Sequence, residues 1–243
     1  MTNKETSEHI EGKKYLKLFW SILIGGVILA ILPFFLASIG ALGAMPEFDD
    51  LENPESNLAT EVISTDGKTL GKYAYENRTP VNYKDISPTL IEAIVATEDE
   101  RFYSHSGIDF KSTLRAILKM GKGGGGSTIT QQLSKLLFHG EGSKNIIGRL
   151  KQKIKEYVIS VRLERQYTKQ EILTMYLNKY DFINGAVGVR SASRIYFGKE
   201  PKELKINESA MLAGMLKNSS LFNPLREKRK DTVKHRRNVV LRQ

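Results

Sequence analysis

The sequence contains no cysteine, which excludes disulfides and cysteine-built metal sites and leaves the chain indifferent to redox compartment. A phosphate loop is missing too. That motif needs GxxxxGK followed by Ser or Thr, and in the stretch GKGGGGST, Lys122 comes before most of the glycines instead of after them. No internal repeat is present. From Leu18 to Pro46 the sequence lacks charge altogether. A bilayer-spanning helix needs about 20 apolar residues, so this run can cross a membrane with some tilt or a kink at Pro33. It exceeds the apolar part of a cleaved secretory signal, about 7–15 residues.

What is present is basic. Thirty-seven Lys and Arg against 27 Asp and Glu give a formal charge of +10. Such a balance suits an anionic partner, whether nucleic acid, a phosphate-bearing substrate or an anionic lipid surface. The flanks of the apolar run choose among these. Lys13, Lys14 and Lys17 precede it, while Glu47, Asp49, Asp50 and Glu52 follow it. Positive charge stays in the cytoplasm, so the expectation is a single-pass protein of the cytoplasmic (inner) membrane, N-terminus inside and the remainder outside. Tyr15 and Trp20 suit the cytoplasmic interface. Outside the cell there is no nucleic acid to bind, which leaves anionic lipids and lipid-linked phosphates. The expected divisions are a disordered cytoplasmic tail (1–17), a transmembrane helix (18–46), an acidic linker with Pro54 (47–60) and one domain (61–243). The chain's 243 residues, 40% of them apolar, suffice for a core of that size.

Within the domain, EVISTDGKTLGKYAY carries Asp66-Gly67 between β-prone runs, a hairpin signal. Helical patterns follow. Ser87-Pro88 opens a helix with Leu90, Ile91, Ile94 and Val95 on one face. A second helix is predicted from Asp109 to Met120 with Leu114, Ile117 and Leu118 inward. GKGGGG forms a loop, since each glycine costs a helix about 1 kcal/mol. Further helices are predicted over about 128–138 and 146–165. Thr168 and Glu171 form a capping box for the next helix, Ile172–Asn178, and Asp181–Gly188 reads as a loop.

Three segments are polar where a plain helical domain has no need to be: EDERFYSHSG from Glu98, GGSTITQQLSK from Gly125, and KQKIKE from Lys151. Taken singly, each has an ordinary reading. Acidic residues at a helix end are usually solvated, a glycine run before a capped helix is a linker, and a basic helical face pairs Glu156 with nearby lysines. Their order and spacing carry more. EDxxFxxHxG, then GGSTITQQLxK, then KxxE, then EILTMYLN resemble the ordered motifs of the peptidoglycan glycosyltransferases of family 51. These stand alone or form the N-terminal half of bifunctional penicillin-binding proteins. The likeness continues through Tyr196-Phe197-Gly198-Lys199, Glu208–Gly214 and Arg236–Leu241, and covers about residues 60–243.

The resemblance implies a mainly α, lysozyme-like, two-lobed domain with a small N-terminal β element after one transmembrane helix. It implies polymerisation of lipid II, with inversion, into β-1,4-linked glycan on undecaprenyl diphosphate. Glu98 matches the catalytic base and Glu156 the second essential glutamate. Lys135 and Lys153 match phosphate-handling positions, while Ser127, Thr130, Gln131 and Gln132 offer neutral hydrogen bonds to sugar or diphosphate. Asp99, Phe102 and His105 are further substrate-site positions; Asp99 can alternatively orient site groups or hold a divalent cation (Mg or Mn), His105 reads more readily as a structural hydrogen-bonder, and the need for a cofactor stays open. The implied partners are lipid II, the lipid-linked glycan, the membrane and other cell-wall synthesis proteins. The competing reading is a catalytically weak, membrane-anchored scaffold that only binds lipid II or a cell-wall synthesis partner, against which both glutamates argue. Chemistry supports the roles separately. A sugar hydroxyl needs a positioned base, typically worth about 10²–10⁴ in rate, and a departing diphosphate needs fixed cations.

The sequence departs from the family at two positions in the third motif. Gln152 stands where an arginine is usual, and Gly148 replaces an arginine eight residues before Glu156; Arg149 or Lys144 are the nearby substitutes. The end, Arg236–Gln243, resembles the junction before a transpeptidase domain. No Ser-x-x-Lys or Lys-Thr-Gly occurs in these residues, so the expectation is a fragment of a bifunctional protein.

Overall fold

A computed structural model of the chain describes residues 3–43, 60–66, 69–73, 80–119, 125–138 and 145–243. The described residues are mainly helical and form two compact units, residues 1–45 with 143–158, and residues 46–142 with 159–243.

The first unit is built on α1, Asn3–Ser38. Within it, Lys13–Ser38 is long and apolar enough, at 26 residues, to cross a membrane. At 1.5 Å per residue that stretch measures roughly 39 Å against a hydrocarbon core of about 30 Å. The helix begins inside the segment expected to be a disordered tail, and that expectation is corrected for residues 3–17. Extending an existing helix fixes one residue per hydrogen bond gained, so a stable span carries its flank with it. Near the other end, Phe34 meets the Tyr157 ring edge-on at 6.0 Å and Ala37 is fully buried. Tyr157 lies on α5 (Ile146–Gln166), whose first half belongs to this unit. There Ile146, Ile147 and Leu150 are 61–82% exposed.

The second unit opens with the predicted hairpin, strands β1 (Thr60–Ile63) and β2 (Thr69–Tyr73) pairing antiparallel with an irregularity between Val62 and Ile63. Gly67 of its turn lies outside the described residues. Helix α2 (Pro88–Glu98) starts as Ser87-Pro88 predicts, but the Ser87 hydroxyl is not a side-chain cap; it donates to the Leu204 carbonyl. Leu90 and Ile94 are fully buried, while Ile91 and Val95 are partly so. After α2 come α3 (Phe110–Leu118), α4 (Ile129–Phe138), the second half of α5, α6 (Lys169–Lys179), α7 (Val189–Phe197), α8 (Ile206–Met215) and α9 (Lys230–Val240). Helix α8 packs against α2 on one side and α9 on another, and α4 packs against α6. Ile129, Leu133, Ile172, Leu173, Tyr176 and Leu177 are buried completely, so the α4–α6 contact is an apolar core.

Two local features differ from expectation. Leu114 and Leu118 of α3, predicted inward, are 58% and 73% exposed and so point to solvent, as does Phe110 at 78%; the predicted Ile117 side chain lies outside the described residues. The loop 181–188 contains an isolated antiparallel bridge, Asp181 to Val187, with Ile183 and Asn184 at positive φ. The Thr168–Glu171 capping box is present, with both reciprocal bonds.

Candidate active site

Glu98 ends α2 and sits in a cleft of about 430 Å³ lined by the predicted positions Asp99, Ser127 and Gln132, and by Arg101, Asp109, Arg115, Lys217 and Arg236 among others. The cleft brings together residues from the turn after α2, the entry to α4, the end of α8 and α9. Its carboxylate is 14% exposed. Gln132 Nε2 donates to Glu98 Oε2 at 3.2 Å, and an Arg236 guanidinium nitrogen lies 3.5 Å from Oε1. Burial pushes the Glu98 carboxyl above the ordinary 4.5. The Gln132 hydrogen bond and the charges of Arg236 and Lys217 oppose that shift without cancelling it. Arg236 is itself held against neighbouring groups: its Nε donates to the Gly214 carbonyl at 3.4 Å, and its guanidinium lies 5.8 Å from the Phe222 ring centre. A Cβ on Gly214 would sit 3.1 Å from Arg236 Cγ, so the absent side chain makes room for the arginine.

Asp99 lines the same cleft, and its carboxylate braces the start of α4. Its carboxylate, nearly buried, accepts from His105 Nε2 at 3.0 Å through both oxygens and from the Ile129 backbone N–H at 3.0 Å. Thr128 Oγ1 accepts from Gln131 N at 3.2 Å. Together Asp99 and Thr128 satisfy orphan donors at the start of α4, where a negative charge also meets the positive end of the helix dipole. A cation at Asp99 would share that carboxylate with His105 and the Ile129 N–H. Among the described residues no three His, Cys, Asp or Glu side chains gather as a metal-binding group.

Several other predicted positions make protein contacts. Phe102 is fully buried, with Lys169 Nζ 4.4 Å from its ring centre. Lys169 also donates to the His105 carbonyl at 2.6 Å and pairs with Glu164 at 2.8 Å. Thr130, fully buried, donates to that same Glu164. Gln131 Nε2 donates to the Gly107 carbonyl at 3.2 Å, as does Thr128 Oγ1 at 2.8 Å. Gly107 has φ +86, and a Cβ there would lie 2.8 Å from the Ser160 backbone. Ser127 is half-buried in the cleft wall, and Lys135 is exposed on α4.

In the other unit, Glu156 is buried on α5 and its Oε2 accepts from Lys153 Nζ at 3.0 Å. That nitrogen lies 5.4 Å from the Tyr157 ring centre. Arg149 is exposed on the same helix, and Lys144 lies outside the described residues.

Arg236, Lys217 and the Arg101–Asp109 pair were not singled out as site residues from the sequence. Arg101 reaches Asp109 at 2.7 Å; burial alone would raise the Asp109 carboxyl, but hydrogen bonds from Ser112 and Arg101 leave it below its ordinary value. Arg236 falls inside a motif that the sequence did reveal, but its place beside Glu98, 138 positions away in the chain, needed the fold.

Comparison with known proteins decides the family. The model of the family described as Transglycosylase matches residues 66–243. The chain belongs to the transglycosylase family. Penicillin-binding protein 1A of Pseudomonas aeruginosa is 34% identical over 232 residues, 94% of this chain and 27% of that protein. Penicillin-binding protein 1F of Bacillus subtilis is 37% identical over 222 residues, 88% and 30%. Penicillin-binding protein 1A of Escherichia coli is 38% identical over 201 residues, 81% and 23%. The chain spans less than a third of the length of these relatives. At the level of the family, the domain is a peptidoglycan glycosyltransferase.

Proposed function

We propose that the domain polymerises lipid II into β-1,4-linked glycan carried on undecaprenyl diphosphate, with Glu98 as general base. The supporting observation is a nearly buried carboxylate, its pKa raised, fixed by Gln132 and Arg236 in a polar cleft. In one displacement, the acceptor 4-hydroxyl attacks the anomeric carbon of the donor. Its proton passes to Glu98, the C–O bond to the diphosphate breaks, and configuration inverts; no covalent sugar–enzyme intermediate is needed. A raised pKa suits the role, because a base works best when its pKa approaches the operating pH. Glu98 then returns the proton to solvent.

The departing diphosphate needs cations, and Lys135, Lys153 and Arg149 are assigned to it, with Glu156 as the second essential glutamate holding Lys153. Asp99 and His105 support the entry to α4 in this assignment, and Ser127 offers its hydroxyl to substrate. Arg149 stands in for the arginine missing at Gly148.

The apolar helix is assigned as a span of the cytoplasmic membrane, N-terminus inside, because the substrates carry polyprenyl tails. Confinement to one plane raises their effective concentration. Residues 1–17 form the cytoplasmic flank, 18–46 hold the span, helical as far as Ser38, 47–60 form the linker and 61–243 the catalytic domain. Other cell-wall synthesis proteins are natural partners. The test is incubation of the full chain, in liposomes, with labelled lipid II. Polymer that a muramidase digests is expected, and no polymer in any lipid would overturn the assignment.

A further inference from the structure

Behind Gln132, on the side away from Glu98, lies a group that the reaction does not touch. The Tyr176 hydroxyl donates to Gln132 Oε1 at 2.8 Å, and the other arm of that amide donates to Glu98 at 3.2 Å. Tyr176 is completely buried in the α4–α6 core. We infer that Tyr176 is a positioning residue for the reaction, locking the Gln132 amide so that its N–H faces Glu98 and keeps that buried carboxylate ionised and ready. The inference rests on the reading of Glu98 as the base.

An amide has one donor arm and one acceptor arm, and rotation by half a turn exchanges them. With the carbonyl toward Glu98, two acceptors would face each other unless Glu98 held a proton. The orientation therefore selects the protonation state: N–H inward favours the carboxylate, C=O inward favours the acid. Gln132 alone could adopt either. Tyr176 removes the choice, because its hydroxyl hydrogen is directed at Oε1. Burial and the nearby Glu98 charge raise the Tyr176 phenol well above its ordinary value, so it keeps that hydrogen at every pH at which the enzyme works. The helices supply the rigidity. Gln132 is on α4, Tyr176 is on α6, and these two pack directly on one another. The sequence run EILTMYLN, which resembles a family motif yet supplied no predicted site residue, thereby gains a role: it presents Tyr176 to the back of the base.

The experiment is a titration of Glu98 by its side-chain carboxyl ¹³C resonance in the full chain in detergent, assigned by its loss in Glu98→Gln. The acid limb of lipid II polymerisation is recorded alongside. Tyr176→Phe should raise the Glu98 midpoint by about one pH unit, roughly tenfold in protonation equilibrium, and move the acid limb with it. KM should be little changed. Gln132→Leu should raise the midpoint similarly, and Tyr176→Phe added to Gln132→Leu should change nothing more, since the tyrosine acts through that amide. A Glu98 midpoint unmoved in folded Tyr176→Phe, or shifts that add in the double variant, would overturn the inference. Should Tyr176→Phe not fold, the wild-type Tyr176 Cζ resonance provides the reading. It should titrate at the Glu98 midpoint, and a Cζ signal blind to that titration would overturn the relay. If the carboxyl midpoint moves as stated while the acid limb does not, the relay stands and the assignment of Glu98 as base falls.

Discussion

Glu98 sits where two demands conflict. Catalysis wants a base exposed enough to meet a sugar hydroxyl, and burial makes the ionised form costly. Replacing it with glutamine keeps size and polarity but removes the base. Turnover in Glu98→Gln should fall by at least about 100-fold, measured as polymer formed from labelled lipid II, while lipid II binding is retained. The same substitution should raise thermal stability at neutral pH. The native pKa is raised, so the carboxyl's stabilising contribution is full below the unfolded value and is lost as pH rises through the folded one. Thermal melts of both proteins should therefore converge at acidic pH and separate at neutral pH, with the variant higher. The sequence identified Glu98 because a short, specific motif surrounds it. It also placed Asp99, Phe102 and Thr130 at the substrate, since a motif records which residues stay together and not which way they point. In the fold Phe102 lies buried under Lys169 and Thr130 is tied to Glu164, while Asp99 braces α4 from the wall of the cleft.

Elements were legible wherever local chemistry decides them. The capping box at Thr168–Glu171 is set by residues three apart, and it appears as read. Thr168→Ala should cost about 1 kcal/mol, seen as a shifted denaturant midpoint with unchanged slope. Glycines were legible as breakers but not as contacts. Gly107 reads as the end of a motif, whereas in the structure it combines φ +86 with the Ser160 backbone at 2.8 Å from any added Cβ. Alanine there meets both strain and backbone that cannot yield. Gly107→Ala should lose on the order of 2–3 kcal/mol of stability and disturb the carbonyl that Thr128 and Gln131 share, so unfolding and polymerisation should both suffer. Helix α3 shows the opposite failure. Its periodicity was legible, but periodicity defines a face without saying what the face meets, and the face turned out to look outward.

For the whole molecule that outward face matters. Phe110, Leu114 and Leu118 recur every fourth residue on α3, and Lys111, Arg115 and Lys119 recur one position later. Exposed apolar side chains of this size on a helix usually mean a missing partner, and basic residues beside an apolar stripe suit the headgroup boundary of an anionic bilayer. The chain already carries a helix able to cross a membrane, so lipid is the partner most readily at hand, and α3 is expected to rest in the interface in the working enzyme. The chain's lack of cysteine makes this measurable. Leu114→Cys introduces a single thiol at a side chain that is 58% exposed, so labelling it with a polarity-sensitive fluorophore should leave the fold intact. In liposomes containing phosphatidylglycerol the emission should shift to the blue, and lipids brominated near the headgroup end of their chains should quench it. Replacing Lys111, Arg115 and Lys119 with glutamine should weaken both signals at low salt by removing about 1 kcal/mol of attraction per charge. A label that stays water-like in every liposome would show that the stripe does not meet lipid, and would leave α1 as the membrane contact that the assignment requires.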